Sequence, residues 1–266
     1  MRVLLDDDGR LPPGSVVDAA ALRTLYAAPP GRWLRANFVA TVDGAATGAD
    51  GRSGSINTPA DHVVFALLRD LCDAVLVGAG TARTEEYTRV SATPTRPLPP
   101  ALVVVSGRAH VPDGLAEPRT GRGAGLLVTC QAAGLDALRR AREVLGADAV
   151  LVCGEGAVDI ALTLDELANR GLRHVLCEGG PTLLAAVLQA GLLDELALTT
   201  SPLMTGGNAP RISQGESLDL HLSPRLLLEE DGSLFALWRP LTPTGRSPHP
   251  VDPVPTTLPD PTPTVT

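Results

Sequence analysis

The chain has 266 residues, 44% hydrophobic, 20% charged and 3% aromatic, with a formal net charge of −8. This length holds one large domain or two small ones, and a core so poor in aromatics must be built from Leu, Val and Ala. The acidic balance argues against nucleic acid as a general partner, so an anionic ligand has to be met by local Arg or backbone N–H donors. No run is long and apolar enough to cross a bilayer. Acids interrupt the opening Met-Arg-Val-Leu-Leu-Asp-Asp-Asp before a secretory pattern develops, so a cytoplasmic protein without membrane association is expected. Cys72, Cys130, Cys153 and Cys177 form no Cys-x-x-Cys pair, and His62, His110, His174, His221 and His249 are isolated, so neither a metal site nor a disulfide framework is expected.

Residues 1–30 mix acids, prolines and one short helix, Val17 to Tyr26, and read as a lead-in packed on the body. Trp33 to Val42 reads as a strand that ends at the turn signal Asp43-Gly44, and a polar, Gly-rich loop over 46–55 follows. Asn57-Thr58-Pro59 opens a helix, with Asn57 or Thr58 as its cap and Asp61 in the first turn. Val63, Val64, Leu67, Leu68 and Leu71 make its buried face, and Arg69 points elsewhere, to solvent or to a ligand. Ala74 to Gly78 is a buried strand running into Ala79-Gly80-Thr81 at a helix start, a candidate anion site that lacks the third glycine of a dinucleotide fingerprint. Thr88 to Pro100 is a loop, and Leu102 to Val105 is a strand. The Ser106-Gly107-Arg108 that trails it is either an ordinary turn or the seat of an extra phosphate, such as the 2′-phosphate of NADP. Leu126 to Thr129, a helix from Gly134 to Leu145, Ala149 to Cys153 and a helix from Asp159 to Arg170 continue the alternation, the last with Ile160, Leu162, Leu164 and Leu167 inside.

The most informative stretch is His174 to Gly191. A short apolar strand, Val175-Leu176-Cys177, turns at Glu178-Gly179-Gly180 into a helix with Pro181 at its first position, where the missing N–H costs nothing. The glycines leave the free backbone N–H groups of the helix open to an anion, a dipole contribution of about 0.3–1 kcal/mol. Glu178 stands beside that site at the carboxyl end of the strand, where α/β sheets place their ligands. Leu196 to Ser201 is a further strand. Arg225 to Glu230 and Leu234 to Trp238 pair as a hairpin turned at Asp231-Gly232. The pattern predicts one α/β domain over 31–241, with a mainly parallel central sheet flanked by helices and an antiparallel C-terminal hairpin. From Thr242 onward the Pro- and Thr-rich composition predicts a disordered tail, 242–266.

Four ordered segments carry a resemblance: Asn37 to Gly44, Val75 to Thr81, Cys177 to Leu183, and Asp194-Glu195-Leu196 with Pro202 to Gly207. On these the chain resembles the pyrimidine reductase family of riboflavin biosynthesis, whose fold is that of dihydrofolate reductase. The resemblance implies NADPH as cofactor. Its contacts would fall on Val39, Ser55, Thr81, Glu85, Ser106, Gly179, Gly180, Pro181, Thr182, Leu183, Leu184, Ala185 and Ala186. It implies substrate contacts at Ser53, Arg69 and Glu178, with Arg89 as a replacement for a phosphate-binding Arg. The implied reaction reduces the ribose of 5-amino-6-(5-phosphoribosylamino)uracil, a phosphorylated pyrimidine, to a ribityl chain, and a homodimer is the implied assembly.

Hydride transfer needs no nucleophile and no metal, only two positioned ligands and one proton. Glu178, Asp43 or water are the candidate proton sources, with Glu178 assigned first to substrate recognition. Glu178→Gln is then expected to weaken turnover far more than NADPH binding. Many bifunctional relatives have Lys where Asn37 stands, whereas several free-standing ones have Asn. The segment Glu85-Glu86-Tyr87-Thr88-Arg89 departs from the family's usual Asp-Asp-Pro, and the family's zinc-binding deaminase motif is not seen. Two alternatives stay open: a dihydrofolate or other pterin reductase on the same scaffold, and an NADPH-binding protein without catalysis of its own.

Overall fold

The computed structural model describes residues 1–116 and 120–241; the predicted disordered tail lies outside the described residues. Ten strands form one sheet in the order β1-β9-β10-β8-β2-β7-β3-β4-β5-β6. They are β1 Arg2–Asp6, β2 Trp33–Thr41, β3 Ala74–Gly78, β4 Ala101–Val105, β5 Gly125–Thr129, β6 Val150–Val152, β7 His174–Cys177, β8 Glu195–Ser201, β9 Leu222–Glu230 and β10 Ser233–Pro240. From β8 to β6 all neighbours run parallel. β10, β9 and β1 finish one side antiparallel. The mainly parallel sheet with a C-terminal hairpin is therefore as the sequence predicts. β1 is an addition: the first residues of the lead-in pair with β9 and become the edge strand.

The helices are α1 Ala19–Leu25, α2 Pro59–Leu71, α3 Ala79–Thr84, α4 Asp113–Ala116, α5 Leu135–Leu145, α6 Ile160–Asn169 and α7 Pro181–Gln189. Side-chain alternation along the central strands builds two cores. Val75, Val77, Leu102, Val104 and Leu127 pack with α1, α2 and α5 on one face. Leu76, Val103, Leu126 and Val128 pack with α6 and α7 on the other.

Two helix faces differ from expectation. Val63 is exposed, because the buried stripe of α2 runs through Asp61, Val64 and Leu68 and Val63 lies off it. Leu162 is exposed too: α6 buries Ile160, Thr163, Leu164 and Leu167, and a residue two positions past Ile160 is turned about 200° from it.

The chain leaves β2, crosses to β3, and returns later to insert β7 between them. This reversal of strand order opens a crevice at the carboxyl ends of β2, β7 and β3. None of the helices in the described residues is long and apolar enough to span a membrane.

Candidate active site

Glu178 follows β7 directly, and its N–H donates to the Leu76 carbonyl at 3.0 Å, which fixes its backbone against β3. Its side chain is buried and accepts hydrogen bonds from Arg69 Nε at 2.8 Å, Arg69 Nη2 at 2.7 Å and the Tyr87 hydroxyl at 2.7 Å. The Arg69 guanidinium lies 4.2 Å from the Phe65 ring centroid and 5.4 Å from that of Tyr87. Burial works against the charge on Arg69, and the facing Glu178 carboxylate more than offsets it, so the guanidinium's pKa stands above its usual value. Tyr87 titrates well above an ordinary phenol, first through burial and then through the Glu178 charge, so it stays a donor. Two residues expected to contact the substrate are thus brought together as one bidentate pair.

α2 supplies this side of the crevice. Asp61, Phe65 and Arg69 recur at four-residue spacing and form a stripe beside the apolar one. A cavity of about 360 Å³ is lined by all of Asn37, Phe38, Val39, Ser53, Asn57, Asp61, Phe65, Thr81, Glu85, Tyr87, Glu178, Gly180 and Pro181, among others. A second, of about 530 Å³, shares Ser53, Asn57, Phe65, Glu85 and Tyr87 with it and adds Arg69, Arg89, Arg96 and Arg122. A third, of about 880 Å³, shares Gly80 with the first and extends over β4 and α5, lined by Arg83, Ser106, Arg108, His110 and Arg140. The shared residues place the three in a row, with the 360 Å³ cavity in the middle.

Several predicted residues are held by the protein itself. Glu85 Oε1 accepts from the N–H and the hydroxyl of Ser53, at 3.0 and 3.1 Å. Arg89 Nε donates to the Leu115 carbonyl at 2.8 Å, and the Ser106 hydroxyl accepts from the His110 N–H at 2.9 Å. Ser55 does not line the cavities; it donates to Asp50 at 2.6 Å within its own loop. Asp43 does not line them either. Its carboxylate is exposed and accepts from the Thr41 hydroxyl and from the backbone N–H of Gly206 at 2.7 Å and of Thr205 at 3.3 Å. These bonds, the Thr41 hydroxyl first, hold it below the usual carboxylate range, so it pins a turn and carries no proton near neutrality.

At the start of α7 a glycine is required at position 179. Gly179 has φ of 90° and packs on Phe38, whose ring atoms would lie 2.8 Å from a Cβ there. Its carbonyl accepts from the Gly78 N–H at 2.7 Å, and a cis peptide joins it to Gly180. Gly180 caps α7 with no side-chain hydrogen bond. Leu183, Leu184 and Ala185 are buried and Ala186 is half-buried, while Thr182 is exposed. The side chains of Leu183 and Leu184 belong to the core, so toward a ligand this turn presents backbone. Sequence reasoning passed over Asn57, Phe65, Tyr87 and Asp61 as site residues. The four-residue spacing of Asp61, Phe65 and Arg69 is the signal that was available.

Among the described residues no group of three His, Cys, Asp or Glu side chains is placed to hold a metal. The four cysteines are buried and free. Burial pushes the Cys177 thiol up to about 12, which leaves it inert near neutrality.

Residues 32–231 match the RibD C-terminal domain. The chain belongs to that family. It is 30% identical over 193 residues to the 2,5-diamino-6-ribosylamino-4(3H)-pyrimidinone 5′-phosphate reductase of Methanothermobacter thermautotrophicus, covering 69% of this chain and 84% of that one. It is 28% identical over 197 residues to the protein of the same name from Archaeoglobus fulgidus, covering 68% and 85%. A pyrimidine reductase-like protein from Corynebacterium diphtheriae shares its fold, with a TM-score of 0.69 and 23% identity, over 80% of this chain and 93% of that one. The resemblance read from the four sequence segments is therefore correct at the level of the family.

Proposed function

We propose that this RibD C-terminal domain protein is an NADPH-dependent reductase of a ribosylaminopyrimidine 5′-phosphate, acting in riboflavin biosynthesis. The observation that carries the reading is the row of three cavities, with a bare helix N-terminus beside the middle one. The free-standing relatives are named for the 2,5-diaminopyrimidinone. We take that compound as the preferred substrate, ahead of the 5-amino-6-(5-phosphoribosylamino)uracil that the sequence resemblance implies.

The residues present fit a nicotinamide dinucleotide. Gly180 caps α7 with no side-chain hydrogen bond, so the helix N-terminus there presents bare backbone where an anion would approach. Arg83, Arg108 and Arg140 line the far cavity with Ser106, a setting for the 2′-phosphate that separates NADPH from NADH. When bound, the reduced nicotinamide supplies a hydride. The protein's side chains do the rest. A carboxylate has about four acceptor positions. Arg69 and Tyr87 occupy three of those on Glu178 and fix its plane, which leaves one for a substrate N–H or O–H. Arg89, Arg96 and Arg122 surround the 530 Å³ cavity and suit the 5′-phosphate end of the substrate. A homodimer belongs to the same proposal and is checked by the molar mass in solution.

The test is NADPH oxidation by the purified protein with the diaminopyrimidinone phosphate, the aminouracil phosphate and dihydrofolate side by side. Turnover of the first two, faster with the diaminopyrimidinone, and none of dihydrofolate is expected. Preference for dihydrofolate overturns the substrate assignment, and no turnover of any overturns the enzymatic one. NADPH is expected to bind about 10-fold or more tightly than NADH, and Arg108→Ala to narrow that gap, because a charge-assisted hydrogen bond to phosphate is worth about 1.5–3 kcal/mol.

A further inference from the structure

Asp61 is 5% exposed, yet it lines the same 360 Å³ cavity as Glu178. It is the third residue of α2, and its N–H is capped by Thr58 Oγ1 at 3.2 Å. An acidic residue there ordinarily serves the helix dipole from the surface. This one is turned inward instead, with the Thr199 hydroxyl of β8 acting to lower the pKa of its carboxyl. The exposed His62 stands next to it on its own helix. The buried Tyr26 lies near it, and the charges of Glu178, Arg69 and Glu85 stand around the adjoining cavities.

The other carboxylates of this region are committed. Glu178 accepts three hydrogen bonds. Glu85 accepts two from Ser53. Asp43 lies outside the cavities. Reduction of a ribosylamine proceeds through its ring-opened imine, and the nitrogen must gain a proton as the sugar carbon gains hydride. We propose that Asp61 is the proton donor of this reaction. The proposal rests on the reductase reading above. The Asp61 O–H bond breaks and an N–H bond forms at the imine nitrogen. Hydride from the dihydronicotinamide makes the new C–H bond at the former aldehyde carbon, the C=N bond becomes a single C–N bond, and the Asp61 carboxylate regains a proton from water. Burial raises the pKa of Asp61, with the Thr199 hydroxyl working in the opposite direction, so the side chain holds its proton to higher pH than an ordinary carboxyl.

Three measurements test this. First, kcat and kcat/KM of Asp61→Asn, a near-isosteric change, are expected to fall about 100-fold or more, the usual worth of a positioned acid. NADPH affinity is expected to stay within about 3-fold, since the residue faces the substrate nitrogen. Second, the pH–rate profile of the natural protein is expected to fall as pH rises through the raised pKa. Thr199→Val removes the hydroxyl that lowers that pKa, so it moves the limb to higher pH, and Asp61→Asn abolishes it. Third, carbon-13 NMR of the ligand-free protein labelled at Asp carboxyls is expected to show one carboxyl titrating above the ordinary range and absent in Asp61→Asn. A fully active Asp61→Asn with an unchanged limb, or an Asp61 carboxyl titrating in the ordinary range, overturns the proposal and leaves the reductase reading standing. Failure of the natural protein to reduce either pyrimidine overturns both.

Discussion

At the scale of single residues the site is a contrast between two acids. Glu178 is paired with Arg69 in bidentate geometry and braced by Tyr87. Asp61 is buried, 5% exposed, beside the same cavity. The contrast has a consequence for stability. The unfolded chain releases the Asp61 proton at the ordinary carboxyl value, whereas the folded chain keeps it to higher pH. Between those values the folded state binds the extra proton, so its stability falls as pH rises through the window and stays lower above it. Asn carries no charge to bury. Asp61→Asn is therefore expected to raise the melting temperature at pH 8 and to lose that advantage near pH 3, as followed by circular dichroism. Equal melting temperatures at both pH values would remove the burial cost from the account. Greater stability with lower activity is the usual signature of a strained functional group.

At the scale of elements the β7–α7 unit organises the crevice, and its two glycines do different work. Gly180 has an extended backbone that any residue adopts, and only Thr81 Oγ1 crowds a Cβ there. Gly179 has a positive φ and an aromatic ring against it. Gly180→Ala is expected to keep its unfolding midpoint while lowering NADPH affinity about 10-fold, the equivalent of one lost charge-assisted hydrogen bond. Gly179→Ala is expected to lose that affinity and about 1–3 kcal/mol of stability as well, the usual cost of a non-glycine residue forced into this region. Fluorescence titration with NADPH and urea unfolding, run on both variants, separate the two effects. Much of this unit was readable in the chain, since a strand, two glycines and Pro181 leave few other conformations. The inner faces of α2 and α6 were less so. Val63 and Leu162 are as apolar as their neighbours, and only the packing angle of each helix decides which side meets the sheet.

At the scale of the whole molecule a buried ion network joins the parallel and antiparallel parts of the sheet. Glu195 on β8 accepts from Arg35 on β2 at 2.7 Å and from Arg225 on β9 at 2.8 Å. Arg225 also donates to Asp8 and to the Leu25 carbonyl, both at 2.9 Å, which ties in the N-terminal segment. Arg35 and Arg225 are 5% and 4% exposed, so removing their shared carboxylate leaves two guanidinium groups poorly compensated. Glu195→Gln is expected to cost about 3–5 kcal/mol in urea unfolding, the range for breaking a buried pair from one side. A loss below about 1 kcal/mol would show that water reaches the network.

The sequence by itself determined the order and type of the central elements, because alternation in strands, helical periodicity, and Gly and Pro punctuation act over a few neighbouring residues. It also determined the family, through short segments whose backbone demands are local. The tertiary structure decided the partners. Arg69 and Glu178 are 109 positions apart in the chain, and only the insertion of β7 beside β3 brings them to 2.7 Å. Asp61 reads as an ordinary first-turn acid, and only the packed fold withdraws it to 5% exposure in the cavity that Glu178 also lines. Which groups meet, and which are withdrawn from water, depends on long-range packing that no local pattern encodes.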